Sequence, residues 1–389
     1  MSPTAKSRLF VGEYSEEAVV EVAKGLHHDL GANAALGFVF VTQEWHAHLS
    51  DTLELIRVHG RVPQLVGCSG WGIIGNRREM ERQPGFSLLL LSVPSETFTV
   101  CPIYEDEIDS SGAPANLSKV TGLSADEVNS WIVLVNPYFN GAEEWLTQWN
   151  AAYPGTPTIG GLASSATSEI LLFRDGEISS AVALAVALKG GFRAEPIVSQ
   201  GCRPIGNALP ITKVDDNLIF EVGNLPAYKA LEAAFLSVPA EQRVAVRNNL
   251  FLGLAISEYV EEFKRGDFLV RNILGADPQI GAVAVGASPR LGQTIQFQLR
   301  DSVSAHDDLV QIVEQGRSRV SDAIGILLFS CSGRGRGLFG RGDHDATVFA
   351  DAFNDLPLAG FFCNGEIGPV GNRTFLHGYT ACAALLCHK

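Results

Sequence analysis

The 389-residue chain is longer than one ordinary hydrophobic core supports, and at about 100–200 residues per domain it is expected to fold as two. Hydrophobic residues make up 46% of it and charged residues 19%, a balance that excludes extensive disorder. The net charge of −14 argues against a sequence-independent grip on nucleic acid, which needs a basic surface to displace counterions.

The chain opens with Glu13, Glu16, Glu17 and Glu21 where a signal peptide would be basic and then apolar, so a cytoplasmic protein is expected. Short apolar runs bounded by glycine or proline follow at 34–42, 64–68, 86–93, 131–135, 158–161, 170–173 and 181–188, and read as buried strands. The last is the longest aliphatic run and falls far short of the ~20 residues that span a bilayer. Helical spacing appears at 50–58, where Ser50 can cap the start, and at 141–153, with Trp145 and Trp149 four apart. Arg174-Asp175-Gly176-Glu177 reads as a hairpin turn.

From Glu195 to Asn217, Pro196, Gly201, Pro204, Gly206 and Pro210 interrupt an extended stretch, which reads as a connection. Helices are then expected at 227–236 and 240–250, and strands at 252–259, 268–273, 281–285 and 294–299. A helix at 304–320 precedes a strand at 323–330, a glycine-rich loop, a helix at 346–353 and strands at 358–363 and 374–385. The expected class is α/β (α+β), with two related mixed-sheet domains flanked by helices: 1–195 and 226–389, joined by 196–225. A weak echo between 65–73 and 358–367 supports their relation, since both run as apolar strand, small turn and Gly-x-Ile.

Seven scattered cysteines without a CxxC pair look like reduced thiols. Phe329 to Gly342 packs five glycines and three arginines after a strand, a loop whose amides and guanidinium groups can face an anion or simply lie in solvent. Gly335-x-Gly337-x-x-Gly340 satisfies the dinucleotide pattern formally, but a helix delayed past Gly342-Asp343 would not fit it. Glu366, in a tight turn, can pair with Arg334 or Arg336, contact a ligand amine, or cap local amides. Cys68 with Ser69, Cys331 with Ser332, and the Gly160–Ser165 turn stand at strand ends, where α/β proteins assemble sites. His46-x-His48, with His27 and His28, lacks a carboxylate or cysteine at metal-site spacing, so no metal is expected.

Taken together, these segments resemble the FIST family (F-box and intracellular signal transduction proteins). The FIST N resemblance rests on Leu36–Val41, Val66-Gly67-Cys68-Ser69 with Gly72 and Ile73, and Ile159-Gly160-Gly161. The FIST C resemblance runs from Pro204-Ile205-Gly206 through Asn217–Glu221, Leu225-Pro226-Ala227, Phe268–Arg271, Gly292-Gln293-Thr294 and Ser330–Arg334 to Gly360–Pro369. The resemblance implies a sensory module for small ligands such as amino acids. Some members of the family bind haem, and others carry an F-box. With about 30 residues before the first matching strand and none after 389, the chain is expected to signal through a separate protein.

Three readings follow. In the leading one, a cytoplasmic sensor binds an amino acid or another small anion or zwitterion, without cofactor. Arg334, Arg336 and Glu366 hold its charged ends; Cys68, Ser69, Gly161, Ser164, Cys331, Ser332 and Asn364 line the site. The alternatives are a haem-binding gas sensor and an enzyme with Cys331 or Cys68 as nucleophile. Neither nucleic acid nor a membrane span is expected, and a homo-oligomer is compatible with all three.

Overall fold

Segments that are apolar at every position cannot present a wet face, so they become strands covered on both sides. Leu36–Thr42, Ser130–Val135 and Ala183–Leu188 are buried throughout. The computed structural model describes residues 3–108, 115–139, 141–243 and 249–388. They form a mixed α/β fold of two units: the residues up to Val198 together with those from Val310 onward, and Ser199–Leu309.

In the first unit the chain runs through β1 (Thr4–Val11), α1 (Glu16–Leu30), β2 (Leu36–Thr42), α2 (Leu49–Gly60), β3 (Gln64–Gly70), the hairpin β4 (Gly72–Gly75) and β5 (Arg78–Glu81), and β6 (Gly85–Ser92). It then repeats the pattern with β7 (Phe98–Ile103), α3 (Ala115–Thr121), β8 (Ser130–Val135), α4 (Ala142–Ala152), β9 (Thr158–Leu162), the hairpin β10 (Leu172–Arg174) and β11 (Glu177–Ser179), and β12 (Ala183–Leu188). A third pass begins with β13 (Phe192–Ser199). After it come the strands and helix of the second unit: β14 (Cys202–Asp215), β15 (Leu218–Val222), β16 (Leu225–Pro226), α5 (Ala227–Leu236), β17 (Leu250–Ala255), β18 (Phe268–Asp277), β19 (Ala282–Val285) and β20 (Thr294–Arg300). The third pass resumes with α6 (Ser302–Arg319), β21 (Ala323–Cys331), α7 (Gly335–Phe339), α8 (His344–Ala352), β22 (Leu358–Cys363), the hairpin β23 (Glu366–Val370) and β24 (Arg373–His377), and β25 (Ala381–His388).

The three passes build three sheets of one design: β1-β6-β2-β3-β10-β11, β7-β12-β8-β9-β23-β24 and β13-β25-β21-β22-β4-β5. Each has a parallel pair at its centre and completes itself with a hairpin from another pass. The first unit is thus a threefold pseudo-repeat locked by exchanged hairpins. Its inner faces share one core, where Phe40, Phe329 and Phe361 meet with ring centroids 4.9–6.4 Å apart. Burying each such side chain stabilises by roughly 1.5–3 kcal/mol. Helices cover the outer faces; Trp145, Trp149 and Tyr153 of the α4 segment pack on Trp131 of β8.

Three glycines fix the register. A Cβ on Gly67, Gly160 or Gly360 would lie 1.9, 1.8 or 1.9 Å from the carbonyl oxygen of Val39, Val133 or Leu328 on the parallel neighbour. Only hydrogen fits there. These glycines are equivalent positions of the three repeats.

The second unit is all antiparallel, and α5 is the described helix that lies wholly within it. Its strands run β14-β20-β17-β18-β19-β15-β16, and a further β14–β15 pairing closes the row, leaving few edges. Ile205, Ile219, Leu252, Val283 and Phe297 fill its core, with Ala230 and Ala234 of α5 packed against them.

Several expectations change. The stretch 196–225 is not a loose connection: β14 alone runs 14 residues and pairs with both β20 and β15. The residues after Val310 join the first unit, because β21 and β22 supply a parallel pair and β22 bonds to β4. Helix α2 begins at Leu49 after His48, with no Ser50 cap. The run at 374–385 is two strands in different sheets, split at a turn. Of the helix expected at 240–250, residues 244–248 lie outside the described residues, and Leu250 already begins β17. The hairpin turn at Asp175-Gly176 is as expected, with φ of 54° and 95°.

Candidate functional site

The carboxyl ends of β3, β9 and β22 meet at one place. The Ser164 amide donates to Ser69 O (3.2 Å), and the Asn364 amide donates to Leu162 O (3.1 Å). The third link runs through a side chain: the Trp71 amide donates to Ser164 Oγ (2.8 Å), which donates to Phe362 O. Counted from the matching glycines, Trp71, Ser164 and Asn364 are equivalent positions carrying an aromatic ring, a hydroxyl and an amide. Trp71 is half-buried, Ser164 buried and Asn364 exposed. Trp71 stands edge-on to Phe362, and the Arg82 guanidinium lies 5.4 Å from its centroid.

Just inside lies a cluster of buried charge. The Arg334 side chain has no exposure and makes a two-pronged pair with Asp345, Nε to Oδ2 at 2.6 Å and Nη2 to Oδ1 at 2.9 Å. Ser330 Oγ donates to Asp345 Oδ2 (2.8 Å), and His344 Nδ1 lies 2.8 Å from Oδ1. Burial disfavours both charges, yet each holds the other: Asp345 is lowered and Arg334 raised from their usual values. Glu79 Oε1 accepts the Ala346 amide (2.9 Å). Burial, with Asp345 nearby, pushes the Glu79 carboxyl up to about 8. Glu366 Oε2 accepts the Thr380 amide (3.0 Å), and the Cys331 thiol also bonds to this carboxyl. Full burial raises Glu366 well above the carboxylate range, although the Thr380 amide and Arg334 pull the other way. Glu366 Oε1, Glu79 Oε2 and Arg334 Nη1 are buried and have no hydrogen-bond partner among the described residues.

Nine of the ten expected site residues gather here. Cys68 and Ser69 end β3, and Ser69 Oγ accepts the Leu171 amide (3.0 Å). Gly161 faces Glu366 across β9 and β23. Cys331 closes β21, and the Ser332 amide donates to Cys363 O (3.0 Å). Arg336 stands apart, exposed, its amide on Glu81 Oε1 at 2.8 Å. Arg334 is no free guanidinium in a solvent loop, because Asp345 occupies it. The glycine-rich segment also turns helical at once, at Gly335, rather than beyond Gly342. The Glu81 carboxylate nonetheless sits at that turn, where a phosphate would have to be.

Glu79, Ser330, His344, Asp345 and Thr380 were not legible. Asp345 follows Asp343 into a helix start and offered a faint signal; Glu79 lies in the charged run Arg77–Arg82, which reads as solvated surface. The thiols do not look like nucleophiles: all seven cysteines are buried, and burial raises Cys68, Cys363 and Cys382 well above the usual thiol value. A surface depression of about 370 Å³ beside Leu9, Phe10, Val11, Gly75, Asn76 and Arg78 holds no carboxyl or thiol. No helix among the described residues is long and apolar enough to cross a membrane.

Comparison with known proteins gives the FIST N domain over residues 35–224 and the FIST C domain over 225–369. The boundary between them falls between β15 and β16. An uncharacterised protein of Mycobacterium tuberculosis is 34% identical over 375 residues, and one of Mycobacterium bovis is 34% identical over 378; both alignments cover 95% of each chain. Among solved structures, a cyanuric acid hydrolase from A. caulinodans aligns over 100% of this chain and 99% of its own, with 11% identity and a TM-score of 0.30.

Proposed function

This chain belongs to the FIST family, and on that premise we propose that it is a sensory protein that takes a small polar ligand where β3, β9 and β22 end. Occupancy would be read by a separate signalling protein. The observation that carries this reading is the unspent hydrogen bonding beside that convergence. Glu366 is fully buried, follows the exposed Asn364 by two residues, and keeps Oε1 without a partner among the described residues. Leaving a buried polar atom unsatisfied costs about 1–3 kcal/mol, and a polar ligand relieves it. The sheet design favours the same place, since ligands of α/β folds collect at the carboxyl ends of parallel strands. Trp71, Ser164 and Asn364 add three different chemistries at equivalent backbone positions, as recognition of an asymmetric molecule requires.

A thermal-shift screen of amino acids, amines and small carboxylates tests this. Ligand at about 100 times its Kd adds about 2.7 kcal/mol, a rise of several degrees. The rise is expected in the native protein and reduced in Asn364→Ala, whose side chain is exposed. A flat panel would sink the reading.

A further inference from the structure

We propose that this site selects a protonated amine, whose ammonium group pairs with Glu366, and that it disfavours an anion. The inference rests on the ligand-binding reading above and names the chemical class of the ligand.

The pseudo-repeat shows which polar residues the fold does not require. Glu366 stands opposite Gly161, Leu172 opposite Cys68, and Ile73 opposite Phe361, each one residue past a matching glycine. One backbone niche is therefore filled twice by hydrocarbon and once by a carboxyl. The same holds one step along each hairpin, where Glu79 faces Ile74, Ile178 faces Phe173 and Leu376 faces Ile367. At each position two of the three repeats manage without an acid, and the β10–β11 hairpin manages without one at either, so packing does not explain Glu366 or Glu79.

Charge then decides the class of ligand. Arg334 gives Nε and Nη2 to Asp345, which leaves Glu79 and Glu366 without a cation of their own in the cluster. The groups facing Glu366 are Arg334, the thiols of Cys331, Cys363 and Cys382, and His377 across the hairpin. An arriving carboxylate would meet a guanidinium already paired through Nε and Nη2 with Asp345. An arriving ammonium meets Glu366 Oε1, which lacks a partner among the described residues and is fully buried. Arg334 Nη1 also wants an acceptor, and a ligand hydroxyl or carbonyl supplies one without bringing charge. Burial raises the Glu366 carboxyl and so favours its protonated form, whereas pairing with R–NH3+ favours the carboxylate, so binding is expected to send a proton to solvent.

Alaninol, alanine and propionate share one carbon skeleton and separate the possibilities. Calorimetry at pH 6 in buffers of different ionisation enthalpy is expected to show alaninol binding at least about tenfold more tightly than propionate, with release of about one proton. In Glu366→Gln the proton release and most of the preference should vanish. If Glu366→Gln does not fold, Glu366→Leu, matching Leu172, serves instead. Propionate binding as tightly as alaninol, or an unchanged preference in the variant, overturns the amine assignment while leaving a ligand-binding protein. No binding by these probes or by any member of the thermal-shift panel overturns both.

Discussion

Glu366 occupies, opposite Gly161, the place that Leu172 occupies opposite Cys68. A carboxyl held where a sister repeat packs hydrocarbon lowers stability, which proteins accept at sites that do work. Glu366→Leu is therefore expected to raise stability on the order of 1 kcal/mol. Apolar burial and the loss of an unpartnered acid oxygen outweigh the Thr380 amide left unpaired. Urea unfolding checks it, and a lower midpoint would mark Glu366 as a structural group.

The Arg334–Asp345 pair behaves differently. Removing one partner leaves a buried charge uncompensated, so Asp345→Ala should cost about 3–5 kcal/mol. Replacing both, as Arg334→Met with Asp345→Leu, should recover most of the loss. A double-mutant cycle in urea measures the coupling; additive losses would show that the pair does not act as a unit.

Glu79 makes stability depend on pH across the neutral range. Its carboxyl rises from 4.5 to about 8 on folding, so the native state holds a proton that the unfolded chain has released. That contribution is fully present below 4.5 and is lost as pH rises through about 8. The slope is at most about 1.4 kcal/mol per pH unit. Asp345, lowered on folding, works the other way: its contribution is present above its ordinary value of 3.8 and lost as pH falls below it. Unfolding free energies between pH 5 and 8 should decline in the native protein and decline less steeply in Glu79→Gln, where Glu366, also raised by burial, still contributes.

Gly160→Ala forces a methyl to within 1.8 Å of Val133 O, where neither strand can yield without breaking the parallel pair. A loss above about 3 kcal/mol, or failure to fold, is expected. Gly337→Ala, with nothing within 4 Å of its new carbon, is the control. It should be neutral or stabilise by up to about 1 kcal/mol. Melting temperatures decide both.

Cys68, Cys363 and Cys382 should resist a thiol reagent in the native protein and react fully in denaturant, because each is buried and holds its proton. Rapid stoichiometric labelling of one of them, located by mass spectrometry, would reopen the nucleophile reading.

The sequence by itself determined the elements. Apolar runs, turn glycines and the helical spacing of Trp145 and Trp149 marked strands and helices, because those signals are local. It also disclosed the echo between 65–73 and 358–367, which are the same passage from parallel strand into exchanged hairpin in two of the three repeats. The third copy, around Gly160, stayed hidden because only its close-approach glycine and small residues match. Cys68, Ser164, Cys331, Asn364 and Glu366 could be picked out as strand-end residues. What only the tertiary structure decided is their company. Hairpin exchange carries Glu79 and Glu366 out of their own sheets, and helix α8 delivers Asp345 to Arg334. A solvated charge and a buried ion pair are written with the same letters, and the difference lies in which distant strands close over them.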